Sequence, residues 1–306
     1  MKITIIQFSP SRNTFKVSEL IKRELEQRNL EVQLIDITGK KEIFIKKNIQ
    51  KFLAENVIKH DILLIGGPVY ANHLQYHVQD LIKALPKPND IWGKYAIPYV
   101  TYGGISSGIA LKEAGELLKS SKRIVHAGMK VSAPHRMTRA ILSEEFNKEK
   151  MLDNNFPQIT ELVNRIMQLN HNSISKSSVK SLTYNGLITT LKSNIIFKEK
   201  VMHEKRYPKV SIDQSICTVC GKCVKVCPVL HLAKKDNKII ENSQSPCIHC
   251  LNCIIQCPYN AIELKGDLEK GKAFLQKMIL KNGNKEIPET SVYPISQINQ
   301  NKNSTI

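Results

Sequence analysis

Apolar residues in the first 170 positions fall into two alternating patterns. Short, nearly continuous β-branched runs at Lys2–Phe8, Glu31–Ile37, Asp61–Gly66, Tyr95–Tyr102 and Arg123–Val131 predict strands. Unbroken apolar character is what a strand needs when helices cover both of its faces. Between these runs, apolar positions recur every three to four residues and predict helices at Thr14–Arg28, Ile43–Asn56, His73–Leu85 and Gly108–Ser120, with a fifth at Pro157–Leu169. Five such units predict an α/β domain over residues 1–170, built on a doubly wound parallel sheet. This domain has no cysteine.

The pattern then breaks. Residues 171–209 open with a polar, Ser-rich stretch and continue with mixed helical periodicity, which predicts a linker or helical tether. Residues 210–266 carry all eight cysteines and repeat at an interval of 30, Cys217 recurring as Cys247. Residues 267–306 predict one amphipathic helix, roughly Leu268–Lys281, followed by a disordered Asn/Gln/Ser-rich tail.

The cysteines carry the sharpest chemistry. Cys217, Cys220, Cys223 and Cys227, then Pro228, form a C-x₂-C-x₂-C-x₃-C-P block, and Cys247, Cys250, Cys253 and Cys257, then Pro258, form a second. Three thiolates at this spacing can wrap three corners of one iron–sulfur cube, while the fourth reaches the other cube. Cys217, Cys220, Cys223 and Cys257 are therefore expected to hold one 4Fe–4S cluster, and Cys247, Cys250, Cys253 and Cys227 a second. Zinc sites use two C-x-x-C pairs separated by a loop, and disulfides need an oxidising compartment. The segment 208–264 resembles the bacterial-type dicluster ferredoxin family, including a short strand before the first block and the C-P-x-x-A-I ending. That resemblance implies a small α+β domain and electron transfer. The stretch from Pro228 to Pro246 is longer than in compact members of that family.

The loop after the first strand, Ser9-Pro10-Ser11-Arg12-Asn13-Thr14, runs into a helix. Hydroxyl and amide groups at a helix N-terminus suit a phosphate, and equally serve as an ordinary cap. The loops Gly66-Gly67-Pro68-Val69-Tyr70 and Tyr102-Gly103-Gly104 end strands three and four on the same sheet edge, where doubly wound folds bind ligands. The domain resembles the flavodoxin-like FMN-binding family. Ser9, Ser11, Asn13 and Thr14 match that family's phosphate loop, while Pro10 and Arg12 depart from its usual glycines and resemble related FMN reductases and iron–sulfur flavoproteins. The resemblance implies FMN, with Arg12 at its phosphate and Pro68, Val69, Tyr70, Tyr102, Gly103 and Gly104 near its ring. The whole chain resembles the flavodoxin–ferredoxin fusion proteins common in anaerobes.

Charge modifies this picture only slightly. The formal net charge is +18, mostly from Lys, with aromatics at 6% and no recognised nucleic-acid module. Nucleic-acid binding is not expected, and no apolar run reaches the length of a membrane span. The opening MKITIIQF is a first strand rather than a secretion signal, so a cytoplasmic protein is expected. Residues 171–209 hold 8 basic and 2 acidic side chains, and the cations extend through residues 1–209. Expected partners are redox proteins: an acidic ferredoxin or flavodoxin steered to this basic body, or a reductase or other anaerobic enzyme. The pattern leaves the oligomeric state open. Two alternatives stand beside an electron-transfer flavo-iron–sulfur protein. One is an NAD(P)H- or quinone-dependent FMN oxidoreductase that uses the clusters internally. The other is a ferredoxin whose α/β domain binds no flavin and docks a partner.

Overall fold

The computed structural model describes residues 1–151, 157–169, 179–186, 190, 191, 193, 202, 207, 209–286 and 289–294. Its first domain follows the alternation in the sequence: β1 Lys2–Gln7, α1 Asn13–Glu26, β2 Glu31–Asp36, α2 Ile49–Asn56, β3 His60–Tyr70, α3 Tyr76–Lys83, β4 Trp92–Tyr102, α4 Ala110–Ser120, β5 Ala127–Ser132, α5 Arg136–Leu142 and α6 Pro157–Met167. The sheet order is β2-β1-β3-β4-β5, all parallel. This 2-1-3-4-5 order is the flavodoxin-like doubly wound arrangement, whose ligand crevice opens where the order reverses, between β1 and β3. Each face carries its own core. One joins Ile6, Phe8, Ile37 and Leu63 to α2, α3 and α4. The other joins Ile3, Ile5, Ile62 and Tyr99 to α1 and α6. The central strands are thus buried on both faces, as their continuous apolar runs require.

Several elements depart from the sequence reading for local reasons. The helix expected at Ile43–Asn56 is split, because Lys47 takes φ 53° and Asn48 starts α2 anew, its Oδ1 accepting from Lys51 N–H at 3.0 Å. Strand β3 continues through the expected flavin loop to Tyr70 and turns back through Ala71 and Asn72, both with positive φ, to pair with His73–Leu74. A two-residue turn with positive φ at both positions matches the twist of a hairpin. Helix α3 consequently begins at Tyr76 rather than His73. The short helix α5 falls outside the sequence reading altogether.

The cysteine-bearing segment forms a second, smaller unit: β6 Lys209–Ile212, α7 Lys222–Lys225, β7 Leu232–Lys235, β8 Lys238–Glu241, α8 Asn252–Gln256 and β9 Ile262–Lys265. β6 pairs with β9 and β7 with β8, both antiparallel. Helix α9, Leu268–Asn282, follows, capped by Asp267 through Lys270 N–H at 2.9 Å.

The tail departs most. Residues 291–294 are not disordered: β10, Ser291–Pro294, returns to the first domain and lies antiparallel on β5, with Val292 opposite Met129. Val292 buries into the α1/α6 core and Tyr293 stacks on Tyr184 at 4.8 Å. Residues 295–306 lie outside the described residues, as do 170–178 and most of 187–208 within the expected tether. Its described part packs Val179 and Leu182 into the first domain's α4 face. No helix among the described residues is long and apolar enough to cross a membrane.

Candidate functional site

The 30-residue repeat is a repeat of backbone conformation. In the first block Val219 and Gly221 take positive φ (54° and 77°), and in the second His249 and Leu251 do the same (54° and 61°). Leu230 and Asn260, three residues after the fourth cysteine of each block, repeat it once more at 58° and 53°. For a β-branched Val or a Leu this region costs about 1–2 kcal/mol per residue. Such strain persists only where the surroundings demand it. Here it curls each C-x₂-C-x₂-C run so that its thiols face inward.

The thiols line two recesses. One, of about 430 Å³ including its open mouth, is bordered by Cys227, Cys247, Cys250 and Cys253. The other, of about 320 Å³ on the same measure, is bordered by Cys217, Cys220, Cys223 and Cys257. Each set takes three cysteines from one block and the fourth from the other, the crossed pairing that the spacing predicts. Among the described residues no three Cys, His, Asp or Glu side chains converge on one point that would hold a single ion. The thiols instead surround a space, as four corner irons require. Backbone N–H groups donate to three sulfurs: His231 to Cys227 Sγ at 3.1 Å, His249 to Cys247 Sγ at 3.3 Å and Ala261 to Cys257 Sγ at 3.3 Å. Such bonds favour anionic sulfur and tune a cluster's potential. Burial, followed by the neighbouring thiols, pushes Cys253 up to about 12; burial also raises Cys247 to about 11 and Cys250 well above the ordinary thiol range. Four bare thiolates therefore do not suit this recess, whereas iron bound to them offsets their mutual repulsion. The residues fit the clusters.

The recess of Cys227, Cys247, Cys250 and Cys253 lies against the first domain. Val229 and Ile248 belong to the same core as Phe8, Ile37 and Phe44, and Cys227 and Cys250 pack on it. Gly39 N–H donates to Pro228 O at 2.7 Å. Asn252, between two of these cysteines, donates through Nδ2 to Pro10 O at 2.5 Å. The second cysteine block thus meets the Ser9–Thr14 loop at the switch point of the sheet.

That loop is built differently from the sequence reading. Ser9 is buried; its Oγ accepts from Phe15 N–H at 3.0 Å and its N–H donates to Thr38 Oγ1 at 2.9 Å. Asn13 Nδ2 donates to Pro134 O at 2.8 Å, and the Thr14 hydroxyl pairs with that of Thr101 at 2.8 Å. Arg12 donates to Asp36 Oδ2 at 2.6 Å, with its guanidinium 3.5 Å from the Phe15 ring centroid and half of its side chain exposed. Ser11 is half-buried. What remains for a phosphate is backbone: the N–H groups of Asn13 and Thr14, at the positive end of a 14-residue helix, have no acceptor among the described residues. The buried Gln7 amide, two residues upstream of Ser9, also leaves both polar atoms unpaired among the described residues. An anion fits here, and Arg12 meets Asp36 in the same loop.

The ring-side residues need a larger correction. Tyr102 is 3% exposed, and its hydroxyl donates to Glu289 O at 2.9 Å, so the returning C-terminal segment covers it. Burial, with Glu286 and Glu289 adding to it, raises its pKa far above the usual phenol range. Glycines 103 and 104 make room for the chain itself. A Cβ on Gly103 would lie 2.3 Å from the His135 ring, and one on Gly104 1.9 Å from Asn147 Nδ2. Pro68 and Tyr70 are buried in the β3 hairpin, with Val69 half-buried beside them. Burial lowers His135 to about 4, so it is neutral at pH 7. His135, Asn147, Asn252 and Glu289 carry no motif that a sequence reading could pick out.

With this geometry in place, comparison with known proteins gives a consistent result. Residues 209–268 match the 4Fe–4S dicluster domain family. A ferredoxin from Pyrobaculum islandicum is 37% identical over 57 residues, 19% of this chain and 53% of that protein. A putative iron–sulfur subunit of dimethyl sulfoxide reductase from Halobacterium salinarum is 36% identical over 55 residues, 17% of this chain and 21% of that protein. The chain thus spans about half the length of the first relative and about a fifth of the second. Among solved structures, oxidised flavodoxin 1 from Bacillus cereus is similar over 56% of this chain and 99% of its own, at 16% identity and a TM-score of 0.39. The fold assignment rests on the observed strand order rather than on that likeness. The chain joins a flavodoxin-like α/β domain to a dicluster 4Fe–4S ferredoxin domain.

Proposed function

We propose that this chain is an electron-transfer iron–sulfur flavoprotein. In this reading Cys217, Cys220, Cys223 and Cys257 hold one 4Fe–4S cluster, and Cys247, Cys250, Cys253 and Cys227 hold a second. FMN sits at the switch point with its phosphate on the Asn13 and Thr14 N–H groups. Bound FMN takes up one or two electrons and each cluster passes one at a time, so the pairing lets two-electron chemistry meet one-electron carriers.

The observation that carries the reading is the junction of the domains. Asn252, set between two cysteines of one block, donates to Pro10 in the loop expected to bind phosphate. A flavin there would lie beside a cluster. The chain's own part is to hold both centres close, keep Cys227 and Cys250 against an apolar core and so exclude water, and direct backbone N–H groups at the sulfurs. A reducing compartment and a redox-protein partner go with this reading.

A second reading is favoured by one observation. The C-terminal segment covers Tyr102, and His135 and Asn147 fill the space beside Gly103 and Gly104, so the first domain could serve as a flavin-free platform for the ferredoxin unit. Anaerobic isolation separates the two. The first reading expects about eight iron and eight sulfide per chain together with stoichiometric FMN. Eight iron without FMN, and no FMN uptake on titration, selects the second. Stoichiometric zinc with no visible absorbance overturns both.

A further inference from the structure

The two recesses differ in what covers them. The first domain packs against the one containing Cys227 and Cys250. The one containing Cys217, Cys220, Cys223 and Cys257 opens outward: Cys220 is exposed, Ile216 is 49% exposed and Tyr259 is 51% exposed. Lysines flank this outer recess on the elements that build it. Lys222 and Lys225, both exposed, flank Cys223, and Lys222 lines the recess itself. Lys234, Lys235 and Lys238 are exposed on the β7–β8 hairpin, and Ile239 of that hairpin also lines the recess. Lys234 Nζ reaches Val219 O, between Cys217 and Cys220, at 3.4 Å.

The hairpin lysines are not placed for stability. Lys235 and Lys238 lie directly opposite each other across the turn, where like charges destabilise a strand pair. Among the described residues none of the five lysines has a carboxylate partner. Asp236, at the turn, is the one acid between Cys227 and Ile240. Exposed Ile216 and Tyr259 beside the cysteines, with Lys222 at the recess and Lys234 reaching Val219 O, supply the parts of a transient interface, in which charge sets the approach and apolar contact the fit.

We propose, on the electron-transfer reading above, that this face is the docking site for a redox protein that carries carboxylates around its own cofactor. The outer cluster is the port and the inner cluster the relay to the first domain. This places steering on the ferredoxin unit and not on the more basic body of residues 1–209. Counting charges along the chain misses it, because acids spread along residues 210–306, from Asp213 to Glu289, offset these lysines in the sum.

The test is binding. Titrate the full, cluster-loaded chain with a small ferredoxin of strongly negative net charge, by calorimetry at low and at near-physiological salt. Compare the wild type with Lys234→Glu/Lys235→Glu/Lys238→Glu, with Lys222→Gln/Lys225→Gln, and with Lys119→Glu/Lys122→Glu on the first domain. The expected result is affinity at least tenfold weaker in the hairpin variant, several-fold weaker in the Gln variant and unchanged in the first-domain variant, with salt dependence flattened only in the first two. Equal weakening in all three, or none in the hairpin and Gln variants, overturns the proposal. Iron and sulfide are measured on each sample. Their absence from the wild type overturns the electron-transfer reading and the proposal together, whereas normal cluster content with unaltered binding overturns the docking face alone.

Discussion

The returning C-terminal segment is held by a buried ion pair, and removing one charge from it should release the strand. Lys130, on β5, has a side chain 3% exposed, and its Nζ lies 2.9 Å from Glu286 Oε2, whose side chain is 14% exposed. Glu286 also accepts from Ser107 N–H at 2.8 Å and from the Ser107 hydroxyl at 2.5 Å. The Lys130 ammonium lies 4.3 Å from the Tyr184 ring centroid, and its burial keeps solvent from replacing the carboxylate. Glu286→Gln keeps an acceptor for Ser107 but strands the ammonium. Breaking a buried pair from one side costs about 3–5 kcal/mol, less whatever the retained amide returns, so about 3 kcal/mol is expected. Lys130→Met should cost a similar or smaller amount, and the double variant about 1 kcal/mol, since removing both charges ends the unpaired burial. The coupling should therefore exceed about 2 kcal/mol.

With two domains, a single unfolding free energy is not defined, so native-state hydrogen exchange across the amides of β10 and its partners Met129 and Lys130 is the suitable assay. A loss of about 3 kcal/mol accelerates exchange there roughly a hundredfold, at tenfold per 1.4 kcal/mol. A coupling below about 0.5 kcal/mol, or β10 exchange unchanged in Glu286→Gln, would refute the clasp.

Two further outcomes follow from the site. Cys227→Ala should halve the iron content and expose Cys247, Cys250 and Cys253 to alkylation while Cys217, Cys220, Cys223 and Cys257 stay protected, and Cys257→Ala should do the reverse; labelling mapped by mass spectrometry checks it, and protection that follows the sequence blocks would sink the crossed pairing. Asn252→Ala leaves the buried Pro10 carbonyl unpaired, which costs about 1–3 kcal/mol, so the Gly39 amide bonded to Pro228 across the same junction should exchange several-fold faster with cluster content intact; unchanged exchange at Gly39 would show that the junction does not depend on this bond.

What the sequence determined by itself is local or repeats locally. Continuous apolar runs and 3.6-residue periods marked the parallel strands and their helices, since each period encodes which faces are buried. The two cysteine blocks carried their own geometry, because ligand spacing and the residues that bend the chain lie within eleven positions of each other. Even there, the sequence concealed that Leu251 adopts the positive φ that Gly221 takes at the matching place, a conformation that the surroundings impose. Tertiary structure decided which cysteine set faces inward, through Asn252 and Pro10, 242 residues apart. It also decided that Ser291–Pro294 is a strand: four residues with no period of their own gain one only by pairing with β5, about 160 positions earlier. That pairing buries Tyr102, which the sequence alone presents as a ring free to stack. Contacts between distant segments form because docking buries apolar surface and pairs backbone groups, and no local pattern records which segments those are.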